Sequence, residues 1–200
     1  MAIRGCKVFA IEGAHGSGKT TLVNSVTAAL KIRDFHVGTV QEIARRSPFV
    51  EEVAVNRLRD YDIHADLHLF SAHIAEEQRA ARQYQILLVD RSVVSVLAYA
   101  EIFRSAKSEA DARIIAAMWS FTKAYVVLYD TMFFVHDVFD TRFTADKFRP
   151  ADRDLQKRAR DEIRRVISHL EISVVDLPSG LDLAARTSVV VESIVATMET

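Results

Sequence analysis

The sequence predicts a three-layer α/β/α domain built on a five-stranded parallel sheet. Three observations lead there. Five short β-rich runs recur along the chain, and each is apolar nearly throughout rather than alternating, as in strands covered on both faces. Stretches with helical periodicity separate them, and repeated β-α-β order implies parallel strands joined by right-handed crossovers. The 200 residues are 50% hydrophobic and 26% charged with only three prolines, enough for one core and without a linker to divide it. Residues 1–200 therefore read as a single domain.

The runs are KVFAI (7–11), HVGTV (36–40), QILLVD (85–90), AYVVLY (124–129) and EISVVDL (171–177). Helices are predicted over 19–32, 62–83, 93–104, 108–121, 151–169 and 181–198; in the second, Leu67, Phe70 and Ile74 fall at helical spacing. Cys6, at the start of the first strand, is expected in the core. As the one cysteine it excludes an internal disulfide framework and fits a reducing compartment. No apolar run reaches spanning length, and the net charge of −1 gives no global reason for nucleic acid or membrane. The start, MAIRGCKVF, runs straight into a strand, which predicts no signal peptide and a cytoplasmic location. The apolar faces of 62–83 and 93–121 would suit a homodimer contact.

Between the first strand and the first helix lies Gly13-Ala14-His15-Gly16-Ser17-Gly18-Lys19-Thr20, which fits G-x-x-x-x-G-K-[ST], the phosphate-binding loop. Glycines let the backbone turn its N–H groups inward as a nest for anionic oxygens, and the helix that follows presents its positive end to the same oxygens. Gly13, His15, Gly16, Ser17, Gly18, Lys19, Thr20 and Thr21 are the expected nucleotide-binding set. Lys19 brings a point charge to the β- and γ-phosphates, and Thr20 a hydroxyl to Mg²⁺. The expected cofactors are ATP and Mg²⁺. The side chain of His15 would face the acceptor side.

In a doubly wound sheet, ligands bind beyond the carboxyl ends of the strands. The charges there are Glu42, Arg45 and Arg46 after the second run, Asp90 and Arg91 after the third, and Asp130 after the fourth. Asp90 ends a fully apolar run, where an unpaired charge is expensive; Mg²⁺, Thr20 or Arg91 could compensate it. A helix N-cap is the competing role, and Ser92 could supply that instead. Arg91 is either a phosphate ligand or one half of an internal salt bridge. Glu42 is a candidate general base or acceptor ligand, or else a first-turn acid. Over 140–165 arginines are dense and Pro150 interrupts once, so 140–152 is expected to form a short lid with Arg142 and Arg149 over the phosphates, and Arg158 to Arg165 a solvated helix face. His64 and His68 lack the glutamate of H-E-x-x-H, so structural or acceptor-facing roles are expected for them and for His73.

IEGAHGSGKTT, HLFSAHIAEEQ and LLVDRSVVSVLAY, in this order, resemble the thymidylate kinases and related phosphate-loop nucleoside and nucleotide kinases. Asp90, Arg91, Ser95, Ala98 and Tyr99 match their DR-x-x-x-S-x-x-AY segment. The resemblance implies Mg-ATP as donor and a lid over its phosphates. With the strand-end positions, the expected catalytic residues are Lys19, Glu42, Asp90, Arg91, Arg142 and Arg149, and those expected around the acceptor are Glu42, Arg45, Phe70, His73, Arg91 and Tyr99. The chain departs from thymidylate kinases at Ala14-His15, at Gln41 to Arg45, and at His73-Ile74, where they carry an aspartate-arginine pair. Glu42-Ile43-Ala44-Arg45, Asp140-Thr141-Arg142 and Arg186 are more similar to the nicotinamide-riboside kinase domains of bacterial NAD regulators. The expected function is phosphoryl transfer to a small nucleoside or nucleoside monophosphate. An ATPase switch acting on a macromolecule and a polynucleotide kinase are the alternatives, the latter disfavoured by the near-neutral charge.

Overall fold

The first apolar run becomes the central strand. β1 (Lys7–Glu12) pairs in parallel with β3 (Ile86–Asp90) on one side and β4 (Thr131–Val135) on the other. β2 (Val37–Val40) and β5 (Val174–Leu177) form the edges, giving the order β2-β3-β1-β4-β5. The computed structural model describes residues 5–55, 61–103, 107–139 and 153–199. The expected lid, with Asp140, Arg142 and Arg149, lies outside the described residues.

Side chains of successive strand residues point to opposite faces. Val8 and Ala10 of β1, Leu87 and Val89 of β3, and Met132 and Phe134 of β4 enter one hydrophobic cluster. Phe9 and Ile11, Ile86 and Leu88, and Phe133 and Val135 enter the other. The first face is covered by α3 (Ile63–Ala80), α4 (Val93–Phe103), α5 (Glu109–Tyr125) and α6 (Arg153–His169). The second is covered by α1 (Lys19–Ile32) and α7 (Leu183–Met198). Both faces are dry, which is why the strands read as continuous apolar runs. A 3₁₀ turn (Ile43–Arg46), the single turn α2 (Pro48–Val50) and a π turn (Glu51–Val55) follow β2. Cys6 is buried, and burial pushes its thiol up to about 11. No helix among the described residues is long and apolar enough to cross a membrane.

The fourth strand is not AYVVLY. α5 starts at a capping box made by Ser108 and Asp111 and runs through Tyr125, burying Met118, Thr122 and Tyr125 along one stripe. A 3₁₀ turn takes Val126–Leu128, and the strand is the next segment, TMFFV. Helical burial of Tyr125 overrides the β-propensity of the valines. Asp130 therefore precedes its strand. Its carboxylate accepts the Val8 N–H at 2.8 Å and pairs with Lys7 at 3.2 Å, at the amino end of the sheet and away from any ligand.

Glu77 of α3 is fully buried and accepts the hydroxyls of Tyr125 at 3.0 Å and Tyr129 at 3.1 Å. Burial outweighs these bonds and raises its carboxyl to about 8, so it stays protonated at neutral pH. The folded protein then holds a proton that the unfolded chain releases near pH 4.5, and this contribution is complete below about 4.5 and lost as pH rises through about 8. Glu77→Gln is expected to flatten the fall in melting temperature across that window. Parallel thermal melts of both proteins at several pH values check it; identical slopes would place the pH dependence elsewhere.

Candidate active site

The carboxyl ends of β1 and β3 are level, with Ile11 opposite Asp90. The glycine loop after β1 thus lies beside the Asp90-Arg91-Ser92 turn after β3. Gly13 has φ 143°, and a Cβ there would stand 2.6 Å from the Val135 carbonyl of β4, so no side chain fits. Gly18, at φ 83°, is the N-cap of α1 and offers no side-chain cap, which leaves the first-turn N–H groups of the helix to a ligand. Lys19 is buried, and its ammonium donates to the Ala14 carbonyl at 2.6 Å and to Ser17 Oγ at 3.1 Å. Burial, followed by the nearby Arg91 charge, lowers it to about 7. Thr20 Oγ1 donates to Asp90 Oδ2 at 2.6 Å, while the buried Asp90 Oδ1 has no hydrogen-bond partner among the described residues. Val94 N–H is received by Ser92 Oγ at 3.2 Å, so Ser92 caps α4 and Asp90 is left to face Thr20. Thr21 is exposed on α1.

Arg91 is one of three non-glycine residues with positive φ among the described residues, at 72°. Both of its flanking amides are tied to β1. Arg91 N–H donates to the Ile11 carbonyl at 3.1 Å, and Ser92 N–H to Glu12 Oε1 at 2.7 Å. Glu12 also accepts Ser92 Oγ at 2.6 Å and Ser95 Oγ at 2.5 Å. Burial raises the Glu12 carboxyl, and these bonds together with Arg91 oppose that shift. Glu12 is the residue that the sequence analysis passed over. The signal was present: like Asp90, it is an acid ending a fully apolar run. Glu12→Ala is expected to lower turnover at least roughly tenfold by releasing the Arg91 turn, with Glu12→Gln recovering part through its amide oxygen. Steady-state kinetics of the two variants, scaled to folded protein, check this; equal losses in both would mean that the charge rather than the hydrogen bonds matters.

Arg91 is buried with Nε 2.7 Å from Glu42 Oε1, and Arg45 Nε reaches Glu42 Oε2 at 3.1 Å. Burial works against the Arg91 charge, but Glu42, Tyr99 and Asp90 more than compensate and hold it above the ordinary arginine value. The Arg91 guanidinium stands 5.4 Å from the Tyr99 ring centre, and Tyr99 Oη is 3.0 Å from His15 Nδ1. Gln156 of α6 donates to the His15 carbonyl at 3.3 Å, bringing the helix after the expected lid onto the loop. His15, Glu42, Arg45, His73, Arg91 and Tyr99 all line one cavity of about 300 Å³. Phe70 does not. It is buried in the core with its ring 5.7 Å from Phe121, and its neighbour Leu69 lines the cavity. Burial and then Arg91 lower His73 to about 4, so its imidazole is neutral. Arg186 of α7 pairs with Asp137 at 2.7 Å and lies 5.5 Å from the Phe139 ring centre, outside the cavity. Arg160 and Arg165 pair with acids of their own helix, and Arg164 with Asp176 at 3.1 Å. Arg158 and Arg165 are exposed, whereas Arg160 and Arg164 are half-buried, Arg164 lying 5.1 Å from the Phe134 ring centre.

The profile of an AAA domain family matches residues 8–186. Among curated proteins no significant match is found. Among solved structures, NadR protein in complex with NR aligns at TM-score 0.72 and 15% identity, over 99% of this chain and 53% of that one. This chain thus spans about half the length of NadR. Deoxyadenosine kinase from M. mycoides aligns at TM-score 0.69 and 12% identity, over 94% and 98% of the two chains. Thymidylate kinase from Candida albicans aligns at 0.68 and 16%, over 96% and 92%. At such identities the likeness is one of fold. With the family profile spanning nearly the whole chain, the protein belongs to the AAA domain family and has the fold of the phosphate-loop nucleoside and nucleotide kinases.

Proposed function

We propose that this protein is a Mg-ATP-dependent kinase that phosphorylates a nucleoside or a nucleoside monophosphate. One observation carries the proposal: the phosphate loop borders a cavity, with His15 of the loop lining it beside Glu42 and Arg91. A cavity of about 300 Å³ suits a small acceptor rather than a polymer end. The residues fit the donor. Asp90 Oδ1 is a buried oxygen without a partner among the described residues, beside Thr20, which is what a cation or its water shell requires. Lys19 and the first-turn N–H groups of α1 would hold the phosphates, and Thr20 and Asp90 the ion. Mg-ATP supplies the phosphoryl group and neutralises part of its charge. Arg91, locked by Glu12 and Ile11, presents a fixed positive charge to the transferring group. Glu42 orients the acceptor and takes its proton.

Mass spectrometry of products tests the proposal. The protein is incubated with Mg-ATP and a panel of nucleosides, nucleoside monophosphates and nicotinamide riboside. Gain of one phosphoryl group by a panel member is the expected result. Steady ATP hydrolysis that no panel member accelerates would overturn it in favour of an ATPase switch.

A further inference from the structure

The walls of the cavity describe the acceptor more closely. Tyr61, Tyr99 and Phe103 all line it, with Tyr61 and Phe103 ring centres 4.6 Å apart and Tyr99 stacked on Phe103 at 5.9 Å and 26°. Val50, Val53, Leu69 and Val96 add apolar surface. An aromatic wall of this kind suits a planar ring.

His73 is a polar member of the same lining. It is 3% exposed, and its Nδ1 has no hydrogen-bond partner among the described residues. A polar atom left unpaired in such surroundings costs free energy that a ligand atom would recover. The imidazole can rotate to exchange Nδ1 with its carbon counterpart, so the nitrogen can turn to meet a ligand edge.

Charge narrows the class further. Both cations lining the cavity, Arg45 and Arg91, already contact Glu42, at 3.1 Å and 2.7 Å. A phosphate approaching them meets the Glu42 carboxylate as well, whereas a hydroxyl donates to it. A cationic ring would meet two arginines and a neutral imidazole, and Glu42, the one carboxylate lining the cavity among the described residues, is engaged by both arginines.

We propose that the cavity accepts an uncharged planar heterocycle carrying a hydroxyl, a nucleoside without its phosphate, and that His73 is the specificity-determining residue that hydrogen-bonds the polar edge of the ring. Phosphorylation of that hydroxyl rests on the kinase assignment above; recognition of the ring does not.

Wild type, His73→Phe and His73→Asn are compared on uncharged nucleosides, their 5′-monophosphates and nicotinamide riboside, whose ring is cationic. Product is read by mass spectrometry, and acceptor binding by calorimetry without ATP. Uncharged nucleosides are the expected substrates. His73→Phe should raise their KM roughly tenfold with kcat little changed, and His73→Asn should recover part of the loss. An analogue lacking the polar ring edge should lose as much against wild type and nothing more against His73→Phe. Preference for monophosphates or for the cationic riboside overturns the proposal, as does an unaltered KM in His73→Phe. Binding of an uncharged nucleoside that weakens in His73→Phe without any product would sink the kinase assignment and leave the ring site standing. Absence of saturable binding to the whole panel would sink the ring site itself.

Discussion

Lys19→Ala is expected to abolish phosphoryl transfer, by at least roughly a thousandfold, without unfolding the protein. The two halves of this expectation have one cause. Lys19 holds an ammonium in a buried site where its partners are a carbonyl oxygen and a hydroxyl, neither of them charged. Burial and Arg91 together bring it down to about 7, which marks a charge kept at a cost to stability. Removing it relieves that cost, so the melting temperature of the variant should equal or exceed that of wild type. A structural lysine would behave in the opposite way. The same shift makes nucleotide binding pH-dependent. Below about 7 the ammonium is already charged; above it, a polyphosphate must draw a proton onto Lys19 as it binds. ATP affinity should fall as pH rises past about 7, with proton uptake detected by calorimetry in buffers of different ionisation enthalpy. In Lys19→Ala the uptake should vanish. Near-normal activity in that variant would remove the phosphate-loop assignment.

Local chemistry was readable from the chain, and long-range partnership was not. The glycine loop, β1 and α1 follow from adjacent residues, because a phosphate nest is made by consecutive backbone amides. Asp90 could be singled out because it ends an apolar run, and the structure sets it against Thr20, seventy residues away. That Glu42 would hold Arg91 and Arg45 together could not be read, since the pairing depends on the register of β1, β2 and β3. Leu69 and Phe70 show a finer limit. One residue along a helix turns a side chain by about 100°, so apolar spacing located the buried stripe without saying which neighbour reaches the cavity. AYVVLY and TMFFV show the other limit. Both are short apolar runs of strand-like composition, and only the packing of Tyr125 and Tyr129 around Glu77 makes the first a helix end and leaves the second to pair with β1.

Glu42→Gln is the second large effect. Among the described residues that line the cavity, Glu42 is the one carboxylate. Glutamine keeps its shape and one accepting oxygen but cannot take a proton at neutral pH, so turnover of a hydroxyl acceptor should fall by about 10² to 10⁴ with KM for ATP little changed. Some stability goes with it. Arg91 is buried, and its 2.7 Å contact would be with a neutral amide; loss of one partner from a largely buried pair costs about 3 kcal/mol, with Asp90 and Glu12 nearby to lessen it. Assays well below the melting temperature of the variant separate the two effects. The sign for a phosphorylated acceptor is the opposite. A monophosphate brings its own anionic nucleophile and needs no base, and in wild type it must approach the Glu42 carboxylate. Neutralising that carboxylate removes the repulsion beside Arg45 and Arg91, so the rate with monophosphates should hold or rise while the rate with nucleosides collapses. A parallel loss on both acceptors would show that Glu42 serves to hold Arg91 in place and not to accept the proton.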